Sequence, residues 1–62
     1  MIKEILYMKK NGKMQVAEIY EHGRVMFRDY EGQFCATKTY PTLKNAREDL
    51  LSKGWKLEER IG

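Results

Sequence analysis

The sequence predicts an α+β domain: a four-stranded antiparallel β-meander with one α-helix packed on one face and a short C-terminal strand or tail. Three observations carry this. Asn11-Gly12, His22-Gly23 and Glu31-Gly32 each join a polar residue to the glycine that tolerates positive φ, as tight hairpin turns require. The runs between them are rich in Ile, Val, Tyr, Phe, Met and Thr, residues that suit a pleated surface. After residue 40 the apolar period lengthens to that of a helix.

Taken in order, the turns place strands at residues 2–10, 13–21, 24–30 and 33–40. Pro41 ends the fourth, and Thr42 is the expected N-cap of a helix over 42–53. In that helix Leu43, Ala46, Leu50 and Leu51 recur at helical spacing, with Lys44, Arg47, Glu48 and Asp49 mostly between them. Gly54 suits the left-handed residue that closes a helix, which would pack Trp55 back on Leu50 and give the only tryptophan a structural role. Residues 55–61 alternate apolar and charged, so they form a fifth strand or an extended tail. A helix that returns the chain would lay this segment antiparallel beside the first strand and cover that edge. The whole chain, 1–62, is one domain.

If all three turns are two-residue loops, 10 stands opposite 13, 21 opposite 24 and 30 opposite 33. Ile5, Tyr7, Met14, Val16, Tyr20, Val25, Phe27, Phe34, Ala36 and Tyr40 then share one face, which becomes the expected core under the helix. Glu21 and Arg24, opposite in charge across the second turn, favour this register. The other face gathers Ile2, Glu4, Leu6, Met8, Gln15, Ala17, Ile19, Met26, Arg28, Tyr30, Gln33, Cys35, Thr37 and Thr39. A solvated face should read polar, yet Leu6, Ile19 and Met26 fall side by side near its middle. Either this patch binds something, or one strand slips by a residue and the faces partly exchange.

Composition bounds what such a domain can do. At 62 residues, 42% apolar and 34% charged, the chain fits a soluble globular domain with thin stability. No apolar run approaches a membrane span, and no N-terminal stretch reads as a secretion signal, so the expected location is cytoplasmic and no membrane partner is expected. The single Cys35 cannot form an internal disulfide, and no Cys and His set has metal-ligand spacing, so neither usual staple of small domains is expected.

Catalytic chemistry is not expected either. His22, the only histidine, sits in a turn; Cys35 falls mid-strand without a local base; and the carboxylates do not pair on one face. The glycines punctuate turns rather than build a phosphate loop. No cofactor, metal or small-molecule substrate is implied.

The expected function is therefore a non-catalytic binding module. It is read as a homodimeric small regulator or inhibitor that docks a larger protein through the mixed face, using Leu6, Met8, Ile19, Met26, Arg28 and Tyr30. A phage accessory protein is one setting that the size suggests. The alternative is nucleic-acid binding. A net charge of +3 is modest, but Lys9, Lys10 and Lys13 cluster at the first turn, and Arg28 and Tyr30 could add stacking on the sheet. The strand–helix order is similar to that of Whirly single-strand-binding domains, which dimerise, although no motif of that family is present.

Overall fold

Asn11 and Gly12 both adopt positive φ, at 54° and 79°, so the first turn is the two-residue type I′ loop that its sequence predicts. A computed structural model describes residues 1–29 and 31–61; Tyr30 and Gly62 lie outside the described residues. Its elements are β1 (Ile2–Lys10), β2 (Lys13–Tyr20), β3 (Arg24–Asp29), β4 (Phe34–Thr39), α1 (Leu43–Ser52) and β5 (Lys56–Arg60). They form one antiparallel sheet in the order β4-β3-β2-β1-β5, with α1 on one face. The final segment is a true strand and covers the β1 edge, as expected from the return of the chain by the helix.

Both helix ends behave as the sequence indicates. The Thr42 side chain accepts the Asn45 backbone N–H at 3.0 Å, which satisfies one orphan donor of the first turn. At the other end Gly54, at φ 99°, donates to the Leu51 carbonyl at 3.1 Å, and Trp55 N–H donates to the Leu50 carbonyl at 3.0 Å. This pair of bonds is a Schellman motif, and it drops Trp55 into the core against Phe27, ring centroids 5.5 Å apart.

The second turn departs from expectation. Ile19 stands opposite Val25 and Ala17 opposite Phe27, one residue away from the register in which Glu21 faces Arg24. The loop thus spans three residues, Glu21–Gly23, with Gly23 N–H donating to the Tyr20 carbonyl at 3.2 Å. Glu21 faces the N-terminal ammonium at 3.7 Å instead of Arg24. Because side chains alternate with period two, this slip turns the β1–β2 hairpin over relative to β3. Leu6, Ala17 and Ile19 go beneath the helix, fully buried with Val25, Ala46 and Leu50. Ile5, Tyr7, Met14, Val16 and Tyr20, expected in the core, go to the uncovered face.

Val25, Phe27 and Tyr40 keep their predicted side, because β3 and β4 pair as expected from Arg24↔Thr39 to Phe27↔Ala36. A bulge then shifts the partner of Arg28 to Phe34 and carries Phe34 to the open face, 55% exposed. The small side chains Ala17 and Ala46, both without exposed surface, suit the centre of the helix–sheet contact. The buried Glu4 is satisfied on the same side: Arg47 of α1 donates to both its carboxylate oxygens at 2.8 and 2.7 Å. Arg60 of β5 lies 3.6 Å from the same carboxylate.

Candidate interaction face

The face without a helix is ordered by cross-strand pairing into rows. One row runs Lys56, Tyr7, Val16, Arg28, Phe34 across all five strands; the next runs Glu59, Ile5, Glu18, Met26, Thr37. Lys9 and Met14 extend it at the first hairpin, and Arg24 and Thr39 at the opposite end. Ile5, Tyr7, Val16 and Met26 are half-buried by their neighbours, while Met14 and Phe34 stand exposed. At the centre Arg28 Nε donates to Glu18 Oε1 at 2.9 Å, and this bond raises the Arg28 pKa further. The central charges therefore neutralise each other, leaving Lys9, Arg24, Lys56 and Glu59 around the rim.

The predicted protein-binding residues are divided by this arrangement. Leu6 and Ile19 are fully buried and hold the core together, and Met8 packs against that core, so these three are corrected from docking residues to structural ones. The one-residue slip at the second turn is the cause. Met26 and Arg28 do lie on the open face, and Tyr30 lies outside the described residues. Ile5, Tyr7 and Val16 replace Leu6, Met8 and Ile19 on that surface, and the same turnover brings Lys9 and Glu18 onto it.

The nucleic-acid alternative is divided in a similar way. Lys9, Lys10 and Lys13 are all exposed at the first hairpin, but Lys9 pairs with Met14 on the open face, whereas Lys10 and Lys13 stand opposite each other on the reverse side. Three lysines close in sequence thus do not form one track with Arg28.

Elsewhere the polar groups act as fasteners. Tyr40 donates its hydroxyl proton to Asp49 Oδ2 at 2.6 Å, and Lys53 lies 2.9 Å from the same oxygen. Burial, then the Asp49 hydrogen bond, pushes the Tyr40 hydroxyl up to about 12; that bond and Lys53 hold Asp49 below the usual carboxylate value. A recess of about 470 Å³ beside Glu4 is lined by Lys3, His22, Arg47 and Arg60, with Glu21 and Leu43. Arg47 there is already committed to Glu4. Sequence reasoning missed these fasteners, although a lone Glu4 among alternating apolar residues was a signal that an arginine must meet it.

Among the described residues no group of three His, Cys, Asp or Glu side chains could hold a metal ion, and no helix is long and apolar enough to cross a membrane. Cys35 is exposed on β4 with its thiol 3.6 Å from the Gln33 carbonyl oxygen. The fold and this face define a one-helix α+β sheet domain with an uncovered apolar side. Comparison of the chain with protein-family models, curated proteins and solved structures returns no significant match.

Proposed function

We propose that this chain is a non-catalytic binding module, a homodimeric small regulator or inhibitor that docks a larger protein through its open sheet face. One observation carries the reading: Ile5, Tyr7, Val16, Met26 and Phe34 share one sheet face around the Glu18–Arg28 ion pair, and no layer among the described residues covers it. Five strands at ~4.8 Å spacing and about six residues each give a face on the order of 500 Å² before side-chain relief, below the ~800 Å² per partner of a standard interface and of the size that weak or transient contacts use. Aromatic, Met and Arg side chains, here set around a neutralised ion pair, are among those that interface cores favour. Lys9, Arg24 and Lys56 outnumber Glu59 on the rim, so the partner expected here carries an apolar patch with acidic surroundings. The cytoplasm is the proposed compartment, where the free Cys35 thiol stays reduced.

A second reading keeps nucleic acid as the occupant, favoured by the rim cations Lys9 and Lys56 next to Tyr7. The two separate in one experiment. The tagged chain and a Met26→Ser/Phe34→Ser variant are used to capture partners from lysate of the source cells, with and without nuclease and across a salt series. The docking reading expects a saturable protein that survives nuclease and is lost with the variant, whose circular dichroism is unchanged. Nuclease-sensitive capture that falls steeply with salt, or a partner retained by the variant, overturns it.

A further inference from the structure

The two sheet edges are protected unequally. On β5, four of the five residues, Lys56, Glu58, Glu59 and Arg60, are charged, and its register shifts beside Ile5, so that edge discourages further pairing. On β4 every residue from Phe34 to Thr39 is exposed, and Lys38 is the only charge. The bulge lies at its first end, so Ala36–Thr39 runs regular and unguarded. Tyr40 N–H donates inward to the Gly23 carbonyl at 2.8 Å. By the alternation of an antiparallel ladder, the backbone groups of Thr37 and Thr39 therefore point outward, away from β3.

We propose that β4 pairs antiparallel with β4 of a second copy, across a twofold axis at Thr37. This rests on the homodimer element of the function above and supplies its geometry. The sequence selects the axis. An axis at Lys38 would bring two like charges face to face, and one at Thr39 would set Pro41, which has no N–H, against the partner's Thr37. An axis at Thr37 avoids both and, unlike one at Ala36 beside the bulge, is centred within the regular Ala36–Thr39 stretch. Thr37 exchanges N–H···O bonds with the partner's Thr37, Thr39 meets the partner's Cys35, and Lys38 meets the partner's Ala36. The axis stands perpendicular to the sheet, so both helices fall on one side and the two open faces merge on the other. A partner protein would then meet a continuous surface of twice the width.

Ala36 and Lys38 lie on the helix side, so the pairing can be altered without touching the docking face. Ala36→Lys sets a like charge against the partner's Lys38 twice per dimer, whereas Ala36→Glu sets an opposite one. The dimer dissociation constant, read by analytical ultracentrifugation, should rise about fivefold with the first and fall about fivefold with the second. In a Cys35→Ser background, Thr37→Cys should form a disulfide-linked dimer on mild oxidation, since a hydrogen-bonded pair sets Cα atoms ~5.5 Å apart. Lys38→Cys should not. A wild-type monomer at high concentration, crosslinking through Lys38→Cys as readily as Thr37→Cys, or the same shift from both Ala36 variants overturns the edge pairing. So does a dimer that Val16→Glu on the open face dissociates while Ala36→Lys leaves it intact. A partner protein still captured by a monomeric chain would leave the docking function standing while the edge proposal fails.

Discussion

Leu6 and Ile5 are neighbours of nearly equal volume on opposite faces of β1, so truncating each in turn reads out which face is the core. Leu6 has no exposed surface and belongs to the cluster with Ile19, Val25 and Leu50; Ile5 faces outward between Glu18 and Glu59. Removing a fully buried leucine side chain to alanine costs about 3 kcal/mol through lost transfer energy and residual cavity. At the half-buried Ile5 the same truncation should cost about 1 kcal/mol. A 62-residue domain holds only about 3–9 kcal/mol in total, so Leu6→Ala consumes a large share of it. With an m-value near 1 kcal/mol/M, the urea midpoint should drop by about 3 M for Leu6→Ala and about 1 M for Ile5→Ala. Trp55, 9% exposed in the core and the only tryptophan, reports the transition by fluorescence. Measurements at one low protein concentration keep self-association from entering the comparison. If Leu6→Ala does not fold, Leu6→Met conserves volume and should lose less than about 1.5 kcal/mol. An Ile5→Ala variant as destabilised as Leu6→Ala, or more so, would refute the register and with it the open face.

Three further outcomes follow from the same geometry. A Cβ on Gly23 would run into the Tyr40 carbonyl oxygen and lie 2.8 Å from that of Thr42, whereas one on Gly12 meets nothing within 4 Å; both have positive φ. Gly23→Ala should therefore prevent folding under conditions where Gly12→Ala lowers stability by about 1 kcal/mol, as thermal melts would show. Arg47→Met strands the buried Glu4 with only Arg60 at 3.6 Å and should cost about 3 kcal/mol, while Glu4→Met/Arg47→Met recovers much of it; a double-mutant cycle in urea measures the coupling. The raised Tyr40 pKa means that the folded chain binds this proton more tightly than the unfolded chain. Its stabilisation is complete below pH ~10 and is lost as pH rises towards about 12; Tyr40→Phe should remove that alkaline loss, seen in melts from pH 8 to 12.

Each fastener ties the helix to a different part of the sheet. Arg47 holds Glu4 on β1, and Asp49 receives the Tyr40 hydroxyl just beyond β4. Both bonds lie on the helix side, so α1 is anchored over Leu6, Ala17 and Ile19, and the opposite side stays bare among the described residues. The bonds that stabilise one face thus do nothing to cover the other.

Much of this could be read before the structure. Thr42, Gly54 and Trp55 act through bonds to residues three to five positions away, so their roles are local and visible in the chain. Asn11-Gly12 specifies its turn for the same reason. The second turn could not be read in this way, because a His-Gly pair suits a two-residue or a three-residue loop. The choice depends on Gly23 lying against Tyr40 and Thr42 from the far side of the β3–β4 hairpin. The candidate site inherited that ambiguity. Met26 and Arg28 fall on the open face because β3 keeps the orientation that the sequence predicts, whereas Leu6, Met8 and Ile19 fall on the core side because β1 and β2 turn over together.

The elements, their order and the surplus of apolar residues over what one helix can cover are legible in the chain, since they follow from turn chemistry, capping and periodicity within a few residues. Which of two apolar faces becomes the core is set by contacts between distant segments. In β1 and β2 both faces are apolar, so alternation alone cannot rank them, and a single-residue slip exchanges them. Burial of Glu4 against Arg47, 43 positions away in sequence, and the joint burial of Ala17 and Ala46 in one cluster are properties of the assembled fold alone.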